Sequence, residues 1–145
     1  MKITKKTLYK VLKEDDFRSP SANMFLAQQL LKFMIEKRGI GLAANQVGLE
    51  KRLFVINVKS PKACFNPSVL KKSPLLETGE EGCLSFKGEY IPIDRPMQIT
   101  VQYHTFDGKV VVEDMEGLEA RCFLHELDHL NGITMHKRKQ LNEST

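Results

Sequence analysis

Residues 117–132, G-LEARCFLHELDHL-NG, leave little freedom in local structure. Apolar side chains at 118, 123, 124, 127 and 130 recur at helical spacing, and Asn131-Gly132 is a helix-ending pair. Inside that helix His125 and His129 stand four residues apart, a rotation of about 400°. Both imidazoles therefore leave one face and can reach one cation. Glu126, beside the first of them, can aim its carboxylate at a water activated by that cation and serve as general base. By chance alone the pattern arises about once in a hundred chains of this histidine and glutamate content. The plain alternative is a pair of surface histidines on an amphipathic helix.

The rest of the chain has to supply a core around that helix. At 145 residues it is expected to form a single catalytic domain, 1–145, burying roughly two thirds of its unfolded surface. Ser19-Pro20 reads as an N-cap followed by the first helical residue. The pairs Met24-Phe25, Leu30-Leu31 and Met34-Ile35 continue that helix to Lys37-Arg38, with Gly39 as its stop. Arg52 to Val58 reads as a strand, and Cys64 to Lys71 as an extended run interrupted at Asn66-Pro67. Met97 to His104 alternates, and Asp107-Gly108 turns it back into Lys109 to Glu113. Residues 1–18 are Lys-rich and carry only a short turn or strand near Leu8 and Val11-Leu12; the thirteen residues after Gly132 are expected to fray. Strands in the middle with helices at either end make an α+β fold.

Several classes are excluded. No stretch approaches 18 apolar residues, so no membrane is expected as a partner. The N-terminus has positive charge but no apolar core of a signal peptide, which predicts a cytoplasmic protein. A net charge of +4, spread along the chain, predicts no specific nucleic-acid partner. Three cysteines, at 64, 83 and 122, are too few for a disulfide framework.

A catalytic metal needs a third protein ligand. His104 and His136 read as ordinary surface histidines. Cys83 follows Gly82 in the polar, turn-forming EEGCLS, where a thiolate would be accessible, whereas Cys64 and Cys122 sit in apolar runs. The residues alone leave Cys83 open between ligand and structural thiol. GIGLAANQ (39–46), with two glycines and two alanines, requires backbone to come close to something. It is either a tight helix-to-strand connection or a loop presenting the Gln46 amide to a developing oxyanion.

GIGLAANQ (39–46), EGCLS (81–85) and HELDH (125–129) with Leu130 and Gly132 resemble, in that order, the three signature motifs of peptide deformylases. The resemblance runs from about Arg38 to Gly132. It implies antiparallel sheets packed around a central helix carrying HExxH. It implies removal of the N-terminal formyl group from formyl-methionyl nascent peptides, with release of formate. By the same resemblance the metal ligands are Cys83, His125 and His129, and the ion is one divalent metal, Fe2+ in the family, with Zn2+, Ni2+ or Co2+ as ions found on isolation. Glu126 is then the acid/base, and the Gln46 side chain and the Leu84 backbone N–H are the oxyanion donors. Gly41 admits the substrate backbone, Glu81 and Arg95 brace the site, and Ile40, Leu118, Cys122 and His125 line the methionine pocket.

The chain departs from the family at Phe86-Lys87-Gly88, at Arg121, where the pocket wall is usually apolar, and at Leu124, where Gln is frequent. It also lacks the C-terminal helix of many bacterial members, which leaves the ribosome weakly supported as a partner. In this it resembles compact members, including phage-borne ones, which places it in a bacterial cell or a phage-infected bacterium. Two other readings stand beside it. One is a general HExxH metallopeptidase, which leaves 39–46 and 81–85 unused. The other is a metal-stabilised module or inactive homologue whose basic tail, His136 to Lys139, touches RNA; it gives Glu126 no purpose.

Overall fold

The computed structural model describes residues 1–144 and orders three helices and seven strands. Helix α1 (Pro20–Glu36) leads into β1 (Gly41–Ala43), a 3-10 turn (Ala44–Val47), β2 (Leu53–Asn57) and β3 (Pro61–Lys72). A hairpin, β4 (Leu76–Cys83) and β5 (Phe86–Pro96), precedes β6 (Gln98–His104), β7 (Val110–Glu116), α2 (Gly117–Leu130) and α3 (Met135–Glu143). Five strands form one antiparallel sheet in the order β1-β2-β3-β6-β7, and β4-β5 form a second. Among the described residues no helix is long and apolar enough to cross a membrane.

The apolar run of β2 explains the layering. Phe54 and Ile56 pack towards α2 with Cys64, Val101, Phe123 and Leu130. Leu53 and Val55 point the other way, into a cluster with Leu30, Phe33, Met34 and Phe65 under α1. A strand covered on both faces reads as continuously apolar because period-2 alternation then separates two cores and not core from water. Helix α2 lies between the five-stranded sheet and the β4-β5 hairpin, so the HELDH segment is the centre of the molecule.

Four local outcomes differ from the sequence expectation or sharpen it. Ser19 does cap α1, its hydroxyl accepting from the Ala22 N–H at 3.3 Å. The left-handed residue at the other end is Arg38 (φ +61°), not Gly39. Arg38 N–H donates to Ile35 O and Gly39 N–H to Met34 O, the pairing of a Schellman motif. Gly39 is small for a different reason: a Cβ there would lie 2.9 Å from Leu84 Cδ1. At Asn66-Pro67 the interruption is a bulge, with Asn66 at φ +48° and the register slipping between Phe65 and Ser68.

Residues 133–144 do not fray. Thr134 caps α3 by accepting from Lys137 N–H, Met135 is buried, and His136 meets Glu89 at 2.9 Å and the Phe86 ring edge-on. The hairpin β4-β5 was not foreseen as strands. The N-terminal segment is stapled across the end of α2. Leu12 N–H donates to Leu130 O at 2.9 Å, and the Arg52 guanidinium gathers Leu12 O, Leu130 O and Asn131 Oδ1. Gly132 sits under this crossing at φ +72°, and an added Cβ would lie 2.6 Å from Tyr9 O. Gly132→Ala should therefore destabilise the fold by ~2 kcal/mol or more, seen as a thermal midpoint lower by roughly 5 °C.

Candidate metal centre and active-site cleft

Helix α2 turns its buried face towards the β4-β5 hairpin, and three ligand atoms meet there. His125 Nε2 lies 3.2 Å from His129 Nε2, and Cys83 Sγ lies 3.3 Å from His129 Nε2. All three fall within 4.8 Å of one another. A tetrahedral ion with nitrogen ligands near 2.0–2.1 Å and sulfur near 2.3 Å has edges of roughly 3.3–3.6 Å. The spacing and the S,N,N donor chemistry fit a borderline divalent metal. Cys83 is delivered to this corner by a two-residue turn, Leu84-Ser85, where β4 and β5 pair Cys83 with Phe86. Cys64 is buried in the core and Cys122 is buried in the cleft wall outside the ligand cluster, and burial raises both thiols well above their ordinary range.

Glu81, two residues before Cys83, fixes the first imidazole. Its Oε1 accepts from His125 Nδ1 at 2.8 Å, leaving Nε2 to the metal corner. Arg95 holds the same carboxylate with two bonds, Nε to Oε2 at 2.6 Å and Nη2 to Oε1 at 2.8 Å. Burial pushes Glu81 up, but the Arg95 fork and the His125 bond more than offset it and bring the carboxyl down to about 2. It stays ionised under all ordinary conditions. Burial and then His125 beside it drive His129 well below its usual value. Against its own burial, Glu126, Cys83 and Glu81 hold His125 up at about 10, so an ion binding at its Nε2 would have to displace a proton.

Glu126 stands on the same helix, 4% exposed, with Oε1 lacking any hydrogen-bond partner among the described residues. Burial first, then Glu81 and Asp128, push its carboxyl up to about 7 against the pull of His125 and Arg95. A carboxyl poised near neutrality suits both taking and giving a proton. Backbone at Gly41 passes so close that a Cβ there would lie 2.5 Å from Glu126 Oε2 and 2.9 Å from Cys122 Sγ. Gly41→Ala should displace the carboxylate and crowd the cleft, lowering kcat/KM by ~10²-fold, read from initial rates of hydrolysis.

Gln46 is oriented from three sides. Its Oε1 accepts from Ala43 N–H at 2.9 Å, and Nε2 donates to Ser85 Oγ at 3.0 Å and faces Cys83 Sγ at 3.4 Å. The amide N–H2 is thereby aimed at the metal corner. A cleft of about 440 Å³ opens from there to solvent between β1 and the hairpin. Ile40, Gly41, Glu81, Cys83, Leu84, Leu118, Cys122 and Glu126 all border it. Ile40 and Leu118, at 46% and 55% exposed, sit at its mouth, whereas the buried Gln46, His125 and Glu126 border it beside the metal corner.

The chain matches the family model for polypeptide deformylase over residues 1–144. It belongs to the polypeptide deformylase family. A peptide deformylase of Thermotoga neapolitana is 44% identical over 107 residues, 73% of this chain and 65% of that protein. The chain thus spans just under two thirds of the length of this curated relative. The crystal structure of peptide deformylase from Thermotoga maritima superposes with a TM-score of 0.90 at 37% identity, covering 94% of this chain and 95% of that one. A class I type b peptide deformylase of Acinetobacter baumannii with Met-Ala-Ser bound gives 0.89 at 28% identity, covering 95% and 97%.

Four residues of the site were not singled out for the parts they take. Ser85 aims Gln46, and Asp128 receives Arg95 at 2.9 Å. Arg121 borders the cleft and is also tied into the fold. Its guanidinium bonds Glu81 Oε2 at 2.8 Å and the carbonyls of Ile93, Glu77 and Gly79, stitching α2 to the hairpin. Asn45 ties the 3-10 turn to His129 O at 2.6 Å. Ser85 and Asp128 lie inside the quoted motifs, but their partners are 39 and 33 residues away, so nothing local marks them.

Proposed function

We propose that this chain is a metal-dependent peptide deformylase, hydrolysing the N-terminal formyl amide of formyl-methionyl peptides to formate and a free amine. The observation that carries the reading is the convergence of Cys83, His125 and His129 on one point, with buried Glu126 and Gln46 beside it at the cleft. Gln46, His125 and Glu126, none more than 7% exposed, border the cleft beside the ligand corner, and the reading places the small formyl group against them. An internal peptide bond needs chain leaving in both directions, which disfavours a general metallopeptidase.

Cys83, His125 and His129 would hold the ion, and Glu81 would keep His125 in the tautomer that coordinates. A divalent metal bound there supplies Lewis acidity, which makes water a usable nucleophile near neutral pH. Glu126 takes the water's proton as it attacks the formyl carbon, and later passes a proton to the departing amine nitrogen. The Gln46 Nε2 hydrogens and the Leu84 N–H stabilise the charge that develops on the formyl oxygen. Ile40, Leu118 and Cys122 offer the methionine side chain an apolar wall, and the glycine at position 41 lets substrate backbone lie against β1.

The test compares formyl-Met-Ala-Ser with acetyl-Met-Ala-Ser and with an unformylated longer peptide. Formate release from the first alone supports the assignment; cleavage of internal bonds overturns it. Fe2+ is the ion proposed in the cell, with Zn2+, Ni2+ or Co2+ taken up during isolation, since zinc outcompetes ferrous iron for such a donor set. Cys83 is half-buried and borders the cleft, so its thiolate is open to oxidants. Iron-loaded protein should lose activity in air with added mass at residue 83, while the nickel form persists. An iron form that survives oxygen with Cys83 unmodified would contradict this.

A further inference from the structure

Helix α3 reaches the metal corner through an unbroken chain of charged hydrogen bonds. Arg138 donates from Nε and Nη2 to Asp128 Oδ2 and Oδ1, at 3.0 and 2.8 Å. Asp128 Oδ2 also receives Arg95 Nη1 at 2.9 Å. Arg95 forks onto Glu81, and Glu81 Oε1 holds His125 Nδ1. Arg121 closes the assembly from the other side on Glu81 Oε2. The side chains of Arg95 and Glu81 are 4% exposed, Asp128 11% and Arg138 29%. Two carboxylates are thus shared among three guanidiniums, and every oxygen accepts at least one guanidinium N–H.

We propose that Arg138 is a positioning residue for the metal centre, acting on His125 through Asp128, Arg95 and Glu81. This rests on the metal-dependent deformylase reading above. The argument is geometric. Asp128 is held by two guanidiniums, one from β5 and one from α3, and it can serve Arg95 in a fixed direction only while Arg138 occupies its other lone pairs. Arg95 in turn has one orientation that gives Glu81 both bonds and still reaches Asp128. Release of Arg138 leaves Asp128 free to rotate towards water, loosens the Arg95 fork, and lets Glu81 and the His125 ring move with it. An isolated exposed ion pair would transmit nothing. A bidentate pair on a nearly buried carboxylate, continued through a buried fork, does.

The experiment measures Co2+ affinity of the full chain by competition with a chelator, together with the visible thiolate–cobalt absorption and thermal midpoints with and without metal. Arg138→Leu keeps the apolar stem and removes the fork. It should weaken Co2+ binding by ~3–10-fold, less than the 10–100-fold typical of a direct partner of a ligand, and perturb the cobalt spectrum. Arg138→Lys, which keeps the charge without the fork, should fall between it and the parent; if the leucine variant does not fold, this variant carries the comparison. His136→Ala loosens α3 at Glu89 and Phe86 without touching Asp128, and should leave Co2+ affinity and spectrum unchanged. Midpoints lowered alike in the Arg138 and His136 variants, with parental Co2+ affinity in both, would overturn the proposal and reduce Arg138 to a fastener of α3. A parent protein that releases formate and binds Co2+ separates that failure from failure of the deformylase reading. A parent that does neither removes both.

Discussion

Glu126→Ala should abolish formate release while the protein keeps its metal. The carboxylate has no place among the three converging ligand atoms, so its removal leaves Cys83, His125 and His129 intact. It is proposed to handle the proton twice, on attack and on departure of the amine. The loss should therefore exceed the ~10²–10⁴-fold usual for one acid/base group. Gln46→Leu keeps the volume and removes a single donor, and should cost less, ~10²–10³-fold in kcat. Metal content by atomic spectroscopy beside initial rates of formate release decides between the two roles. Equal losses in both variants, or metal lost with Glu126, would argue against them.

Cys83→Ala should strip the metal and leave the fold. Two imidazoles from one helix give a bidentate site; the third ligand comes from a different element, the β4-β5 hairpin, and it is the anionic one. The thiolate supplies both the geometry and the charge that a divalent ion needs. The residue is half-buried at a turn and outside both hydrophobic clusters, so its loss empties no core. After desalting, the variant should hold less than a tenth of the parent's metal, a figure on the order of the affinity losses seen for ligand-shell changes, with an unaltered far-ultraviolet circular dichroism spectrum. Full metal and full activity in Cys83→Ala would mean that another residue is the third ligand.

Helix α2 was legible because its apolar positions keep helical period between two glycines, both of which take positive φ. Strand β2 was legible as a branched apolar run, and the structure gives the reason: it divides two cores. The β4-β5 hairpin was not. Its outer positions carry Leu76 and Tyr90 in solvent and its inner ones Glu81 and Arg95 buried as a pair, which inverts the pattern that reveals a strand. Helix α3 was equally hidden. MHKRKQLNE has no apolar stripe, and one buried methionine, a threonine cap and ion pairs to Asp128 and Glu89 do the anchoring. Arg38 holds the left-handed position expected of Gly39, and Leu84 fills the space over the glycine. The ligand corner and the Glu81–Arg95 brace were expected from the resemblance, whereas the parts of Arg121, Arg138 and Ser85 could not be, since they find partners across the fold.

One ion held by Cys83, His125 and His129 is proposed to give the chain its deformylase activity. Metal-free protein titrated anaerobically with Co2+ in the presence of formyl-Met-Ala-Ser tests it most directly. Formate release should rise in proportion to added metal, break at one equivalent per chain, and vanish when chelator is added. Formate release that is indifferent to metal, or a break at another stoichiometry, would contradict the account.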